Sequence, residues 1–274
     1  MAILTEQTEL ILYFLVGIYI IPQIIVGFFL LYKFKKTRMI NLIPLVVFFF
    51  LNALEVFLIA LNAPFIVYHL IVFLSNISLI IFTKFTFYQD KKSAFKYILG
   101  LAVLIKIIDF ILRSIVPFPI AVANGLSKSE IPLYYLNLIL TSSMILVSYS
   151  WFAYSALTYY KTIKDEPIAP WIKKRYLILG TSAFFISLNS IFYLFLPYTP
   201  DLLNNPQYIV VAILISSMNV IFSLGNLMGW MMPNKLKIFF NRNFEPATYE
   251  DLPEKELMEK LKSQLSEKIQ NGNN

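Results

Sequence analysis

The sequence predicts an all-α membrane protein, a seven-transmembrane helix bundle with its N-terminus outside and its C-terminus in the cytoplasm. Three observations carry this prediction. Of 274 residues, 58% are hydrophobic and 14% charged, with a mean hydropathy of +0.68, whereas water-soluble domains carry about 25% charge. Seven apolar stretches are long enough for a hydrocarbon core that takes about 20 residues per helix. Lys and Arg gather in alternate loops, the distribution expected of cytoplasmic loops.

The first stretch, Leu10–Tyr32, is apolar on nearly all faces, which fits a helix in lipid rather than a barrel strand with its alternating pattern. Met1–Glu9 has no basic residue and carries Glu6 and Glu9, so this span is expected to insert directly and stay, without a cleaved signal peptide. The second and third stretches, Ile40–Leu61 and Phe65–Phe85, are joined by Asn62, Ala63 and Pro64, a hairpin that makes them antiparallel neighbours. The fourth, Tyr97–Pro117, carries charges within its apolar run. The fifth, sixth and seventh are Leu133–Tyr159, Tyr176–Leu196 and Tyr208–Met232.

Orientation follows from the cations. Lys33, Lys35, Lys36 and Arg38 follow span one; Lys84, Lys91, Lys92 and Lys96 follow span three; Lys161, Lys164, Lys173, Lys174 and Arg175 follow span five. Lys235, Lys237 and Arg242 follow span seven. The opposite side holds Lys128 alone. The net charge of +7 is thereby explained by insertion topology, and no nucleic-acid partner is expected. Without cysteine the chain can form no disulfide and no thiolate metal site.

Polar side chains inside membrane helices normally face the bundle interior. Ser216, Asn219, Ser223 and Asn226 share a sector of span seven; Asn137, Thr141, Ser148 and Ser155 do so in span five, Ser182, Asn189 and Tyr193 in span six, and His69, Asn76 and Thr83 in span three. Hydrogen bonds between helices account for single members of such stripes; four stripes together predict a polar interior. The charges of span four are more telling. Lys106, Asp109 and Arg113 recur at spacings of three and four, hence on one face, and Lys106 lies about 15 Å from the inner end. Arg113 is close enough to the outer interface to snorkel. Glu55 lies with Asn52 on one face of span two, and span three contributes His69. We expect Glu55, His69, Lys106 and Asp109 to converge in the outer half, with Asn76 and Asn219 completing a site for a small polar ligand, an ion or a proton. A structural ion-pair network is the competing reading.

Seven spans with an outer N-terminus resemble the topology of rhodopsins and G-protein-coupled receptors. A retinal protein needs a lysine in the last span, and Tyr208–Met232 has none. Span three ends Thr83-Lys84-Phe85 where rhodopsin-like receptors carry an acidic-arginine-aromatic motif, and span seven ends Asn226-Leu227-Met228-Gly229-Trp230 rather than Asn-Pro-x-x-Tyr. The resemblance therefore stops at topology. Pro22-Gln23 resembles the dipeptide of PQ-loop transporters, but span five has no proline to repeat it. Phe49-Phe50-Leu51-Asn52 is similar to Phe184-Phe185-Ile186-Ser187-Leu188-Asn189, a hint of a parallel repeat of the kind transporters use. One histidine, and no Gly-x-Ser-x-Gly, phosphate-loop or His-Glu-x-x-His motif, predict no enzyme, no catalytic residue, no metal and no cofactor.

Residues 1–232 thus form the transmembrane domain and 233–274 a cytoplasmic tail. Asn234–Arg242 mixes basic and bulky apolar residues, as an interfacial helix does. Pro253 can open a second, amphipathic helix through Gln270, with Leu257, Leu261, Leu265 and Ile269 on one side. The expected partners are the lipid bilayer of the cell membrane, a small polar ligand or ion, and a cytoplasmic effector at the tail. A sensor or receptor-like protein is the first functional expectation; a secondary transporter of a small polar solute is the second.

Overall fold

The computed structural model describes residues 2–61, 64–89, 92–115, 131–197 and 205–242. The described residues are all helix and connecting turns. Helix α1 spans Ala2–Thr37, α2 Leu42–Ala60, α3 Phe65–Phe87, α4 Phe95–Ile115, α5 Ile131–Ile163, α6 Pro170–Ser187, α7 Asn189–Tyr193, α8 Pro206–Trp230 and α9 Asn234–Phe240. The amphipathic segment expected from Pro253 to Gln270 lies outside the described residues, as does the loop around Lys128.

Local chemistry sets the ends. Arg38 adopts φ 56° and sends its N–H back to Phe34 O at 2.8 Å, a left-handed cap that closes α1. Pro64 precedes α3 and takes the N–H groups of Val67 and Tyr68 at 2.9 and 3.2 Å. Pro170 and Pro206 stand at the first helical positions of α6 and α8, where a missing N–H costs nothing. Asn205 caps α8, its Oδ1 accepting from Gln207 N at 2.9 Å and Tyr208 N at 3.2 Å.

Among the described residues, five helices are long and apolar enough to cross a membrane: Tyr13–Thr37, Ile66–Phe87, Ile131–Ile163, Pro170–Tyr193 and Pro206–Trp230. Helix α2 offers a shorter apolar stretch, Leu42–Leu58, and α4 is interrupted by Lys96, Lys106, Asp109 and Arg113. The span Pro170–Tyr193 is broken at Leu188, where Leu188 N bonds Phe185 O at 3.1 Å and Ile191 N bonds Leu188 O at 2.9 Å, the tighter spacing of a 3₁₀ turn. Ser187 and Ser190 return their hydroxyls to Phe184 O and Ser187 O, which relieves carbonyls exposed by the break.

The helices form a ring in chain order. α1 packs on α2, α2 on α3, α3 on α5, α5 on α6, α6 on α8, and α8 closes on α1; α4 leans outside on α5 and less extensively on α3. The main core is aromatic: Phe48, Phe49, Phe82, Phe152 and Phe222 are buried together with Leu30, Leu45, Leu79 and Leu179. The perimeter is equally apolar, with Phe14, Phe28, Ile66, Ile107, Ile111, Tyr154 and Val210 all exposed. A continuous apolar surface of this kind is at home in lipid and not in water. Composition, helix length and surface together identify a multi-pass helical membrane protein.

Ring closure uses a backbone group beside a proline. Pro22 in α1 supplies no N–H and crowds the preceding turn, and Ser223 Oγ of α8 donates to Tyr19 O in that turn at 2.7 Å.

Candidate functional site

Three helices bring charged and polar side chains to one buried point. Because α3 begins directly after Pro64, His69 sits little more than a turn inside it; because α5 begins at Ile131, Asn137 stands less than two turns from the same side. Helix α4 runs the other way and reaches that level with Lys106 and Asp109. Lys106 Nζ donates to Asp109 Oδ2 at 2.5 Å, as their i, i+3 spacing allows. The same Nζ lies 3.3 Å from His69 Nδ1, and His69 Nδ1 lies 3.8 Å from Asp109 Oδ2. Asn137 Nδ2 donates to Asp109 Oδ1 at 3.0 Å. All four residues are buried, Asp109 to 2% exposure.

This arrangement offsets the cost of burying charge. A buried Lys or Asp without a partner carries a desolvation penalty of several kcal/mol. Here both carboxylate oxygens have donors, and the ammonium has a carboxylate, an imidazole nitrogen and the Phe110 ring at 5.4 Å. Since an ammonium can only donate, His69 Nδ1 acts as acceptor when the ring is neutral, which leaves the proton on Nε2. The network then carries no net charge, and one more proton on His69 would make it +1.

Glu55 stands beside the network rather than in it. Tyr68 OH donates to Glu55 Oε1 at 3.1 Å, and the Tyr68 ring meets His69 edge-on with centroids 4.8 Å apart. Lys106 is within electrostatic range of the Glu55 carboxylate, so both groups share one field. The phenols of Tyr19, Tyr149 and Tyr193 lie within electrostatic range of the same carboxylate. One turn along α2, Asn52 Oδ1 accepts from Ser75 Oγ at 2.8 Å.

Two expected members lie elsewhere. Asn76 is two turns down α3 from His69, about 10 Å along the axis, and donates to Val72 O at 2.8 Å. Asn219 accepts from Asn189 Nδ2 at 2.8 Å at the junction of α7 and α8. Sequence reasoning placed Asn137 in a polar stripe but not in the site, and gave Tyr68 no role; a hydroxyl next to the lone histidine was the available signal. Among the described residues no group of three His, Asp or Glu side chains is placed to hold a metal ion.

Compared with family models, with curated proteins and with solved structures, the chain matches none.

Proposed function

We propose that the chain is a seven-span sensor of the cell membrane, with its N-terminus outside and its C-terminus in the cytoplasm, and not an enzyme. It takes up a small polar ligand, an ion or a proton in the outer half of the bundle and signals through a separate cytoplasmic effector. The observation that carries this reading is the buried network of His69, Lys106, Asp109 and Asn137, which ties α3, α4 and α5 through charge. A proton gained at His69, or a ligand that competes for Asp109, changes the charge balance that holds α4 against its neighbours. Glu55 and Tyr68 extend the site toward α2. Helices α2 and α4 complete the count of seven, since α4 offsets its charges internally.

The chain lacks cysteine, so a labelled pair introduced as Leu101→Cys on α4 and Leu224→Cys on α8 reports their separation directly; both positions are exposed. The separation is expected to change between neutral and mildly acidic pH, and the change is expected to vanish in His69→Gln and Asp109→Asn. A separation indifferent to pH and to a panel of small polar ligands would sink the sensor reading.

A transporter is the second reading, favoured by a repeated polar link. Ser75 donates to Asn52 between α2 and α3, and Asn189 donates to Asn219 between α7 and α8; Asn52 and Asn189 each close one of the two similar sequence segments. Proteoliposome flux lost in both Glu55→Gln and Lys106→Met supports it. Deletion of Asp251–Asn274 leaves transport intact but abolishes signalling through an effector.

A further inference from the structure

At the opposite end of the bundle, the C-terminal ends of α1 and α8, the start of α6 and the short α9 enclose a cavity of about 650 Å³. Its wall carries Lys33, Lys36, Arg175 and Lys237 together with Trp171 and Trp230, and no carboxylate among the described lining residues. We propose that this cavity is a binding site for a phosphate-bearing anion, filled by the headgroup of an anionic phospholipid from the adjoining leaflet.

Arg175 is the buried cation of the wall. It is 7% exposed, its Nε donates to Gly229 O at 2.9 Å, and its guanidinium lies over the Trp230 ring at 4.9 Å. These contacts fix the plane of the guanidinium in the cavity wall. Its fixed positive charge sets the potential of the wall, and the lysine ammonium groups act as point charges toward phosphate oxygens. Lys237 is held as well, over the Trp171 ring at 4.8 Å, and the Trp171 backbone N–H donates to Asn241 Oδ1 at 3.3 Å, which ties the end of α9 to the start of α6.

Size and lining select the ligand class. The volume is that of a small-molecule site and exceeds what a bare phosphate ion fills. Phe29, Met231 and Met232 supply an apolar side suited to a glycerol backbone and the first methylenes of an acyl chain. Loop cations that serve insertion alone need only be near the span ends; here residues from four helices converge on one cavity, with one of them buried and oriented. Basic pockets between helices at the inner interface take anionic headgroups.

The test uses the full chain in phosphatidylcholine nanodiscs containing a minor fraction of phosphatidylglycerol with brominated acyl chains. Trp171 and Trp230 line the cavity, so tryptophan quenching reads lipid occupancy. Brominated phosphatidylglycerol is expected to quench more strongly than brominated phosphatidylcholine, with an apparent preference of at least about fivefold. Lys33→Gln/Lys36→Gln/Lys237→Gln is expected to remove the preference without touching buried Arg175, and Lys161→Gln/Lys164→Gln to keep it. In a parallel arm without phosphatidylglycerol, glycerol 3-phosphate is titrated. A saturable response there that the triple variant loses, with no lipid preference, keeps the phosphate site but assigns it to a soluble ester. A lipid preference that survives the triple variant, or no response in either arm, overturns the proposal.

Discussion

Asn137 on α5 holds Asp109 on α4 through a 3.0 Å hydrogen bond to Oδ1, while Lys106 occupies the other carboxylate oxygen. A peripheral helix is thereby joined to the ring by its charged residues as well as by Ile105, Leu112, Leu140 and Met144. Breaking one member of a buried pair leaves its partner uncompensated, at a cost of about 3–5 kcal/mol.

Asp109→Asn is therefore expected to destabilise the protein by about that amount, and Lys106→Met/Asp109→Leu by much less, since both charges leave together. Thermal unfolding in detergent, run as a double-mutant cycle, checks the difference. In the cycle of Lys106→Met, Asp109→Leu and the double variant, a loss in the double variant equal to the sum of the two single losses would show that the charges contribute nothing as a pair.

A Cβ at Gly225 would lie 2.3 Å from Ser182 Cβ, whereas one at Gly17 would meet nothing within 4 Å. Alanine improves helix propensity by about 0.5–1 kcal/mol at either position, so the environments decide the sign. Gly17→Ala is expected to be neutral or stabilising. Gly225→Ala is expected to lose about 1–3 kcal/mol through overpacking, with Ser182→Gly recovering part of it in the same chain.

Phe222 is fully buried and meets Tyr149 and Phe48 edge-on, at 5.2 and 6.1 Å between centroids. Phe222→Ala is expected to cost about 3–5 kcal/mol, read as a lowered unfolding temperature. Phe28→Ala, at an exposed position, is expected to change it little, because lipid replaces the ring it removes.

Topology is testable on a chain with no native thiol. In intact cells or sealed vesicles of known orientation, Lys128→Cys is expected to react with a membrane-impermeant maleimide from outside, and Lys161→Cys only after permeabilisation. The reverse pattern would invert the orientation and move the phosphate cavity to the outer leaflet.

The helices were legible because apolar runs of span length leave lipid-embedded helix as the economical reading. Their limits were less so: α5 runs on to Ile163 because its C-terminal end, with Tyr159 and Ile163, packs on Ile172 and Tyr176, contacts that a hydropathy window does not see. The break at Leu188 was hidden, since serines are common in membrane helices and only the pairing of their hydroxyls with Phe184 O and Ser187 O marks the turn. In the site, the Lys106–Asp109 pair follows from spacing along one helix. The approach of His69 and the bond from Asn137 depend on how α3 and α5 are rotated against α4, which one sequence does not encode locally. The basic cavity was invisible for a further reason: its cations had already been accounted for as orientation signals, and Lys33 and Lys237 meet only through the fold.

The close seam at Gly225 and Gly229, where added Cβ atoms would reach Ser182 and Leu179, leaves α6 and α8 no room to slide. Helix α4 has no such constraint on its outer side, where Leu101, Leu104, Ile107, Ile108 and Ile111 meet the surroundings. The bundle thus has an extensively packed side at α6 and α8 and a less extensively packed one at α4. Changes in bilayer thickness or lateral pressure would act first on the less packed side, so the acyl-chain length of the host membrane should set how readily the buried charges part.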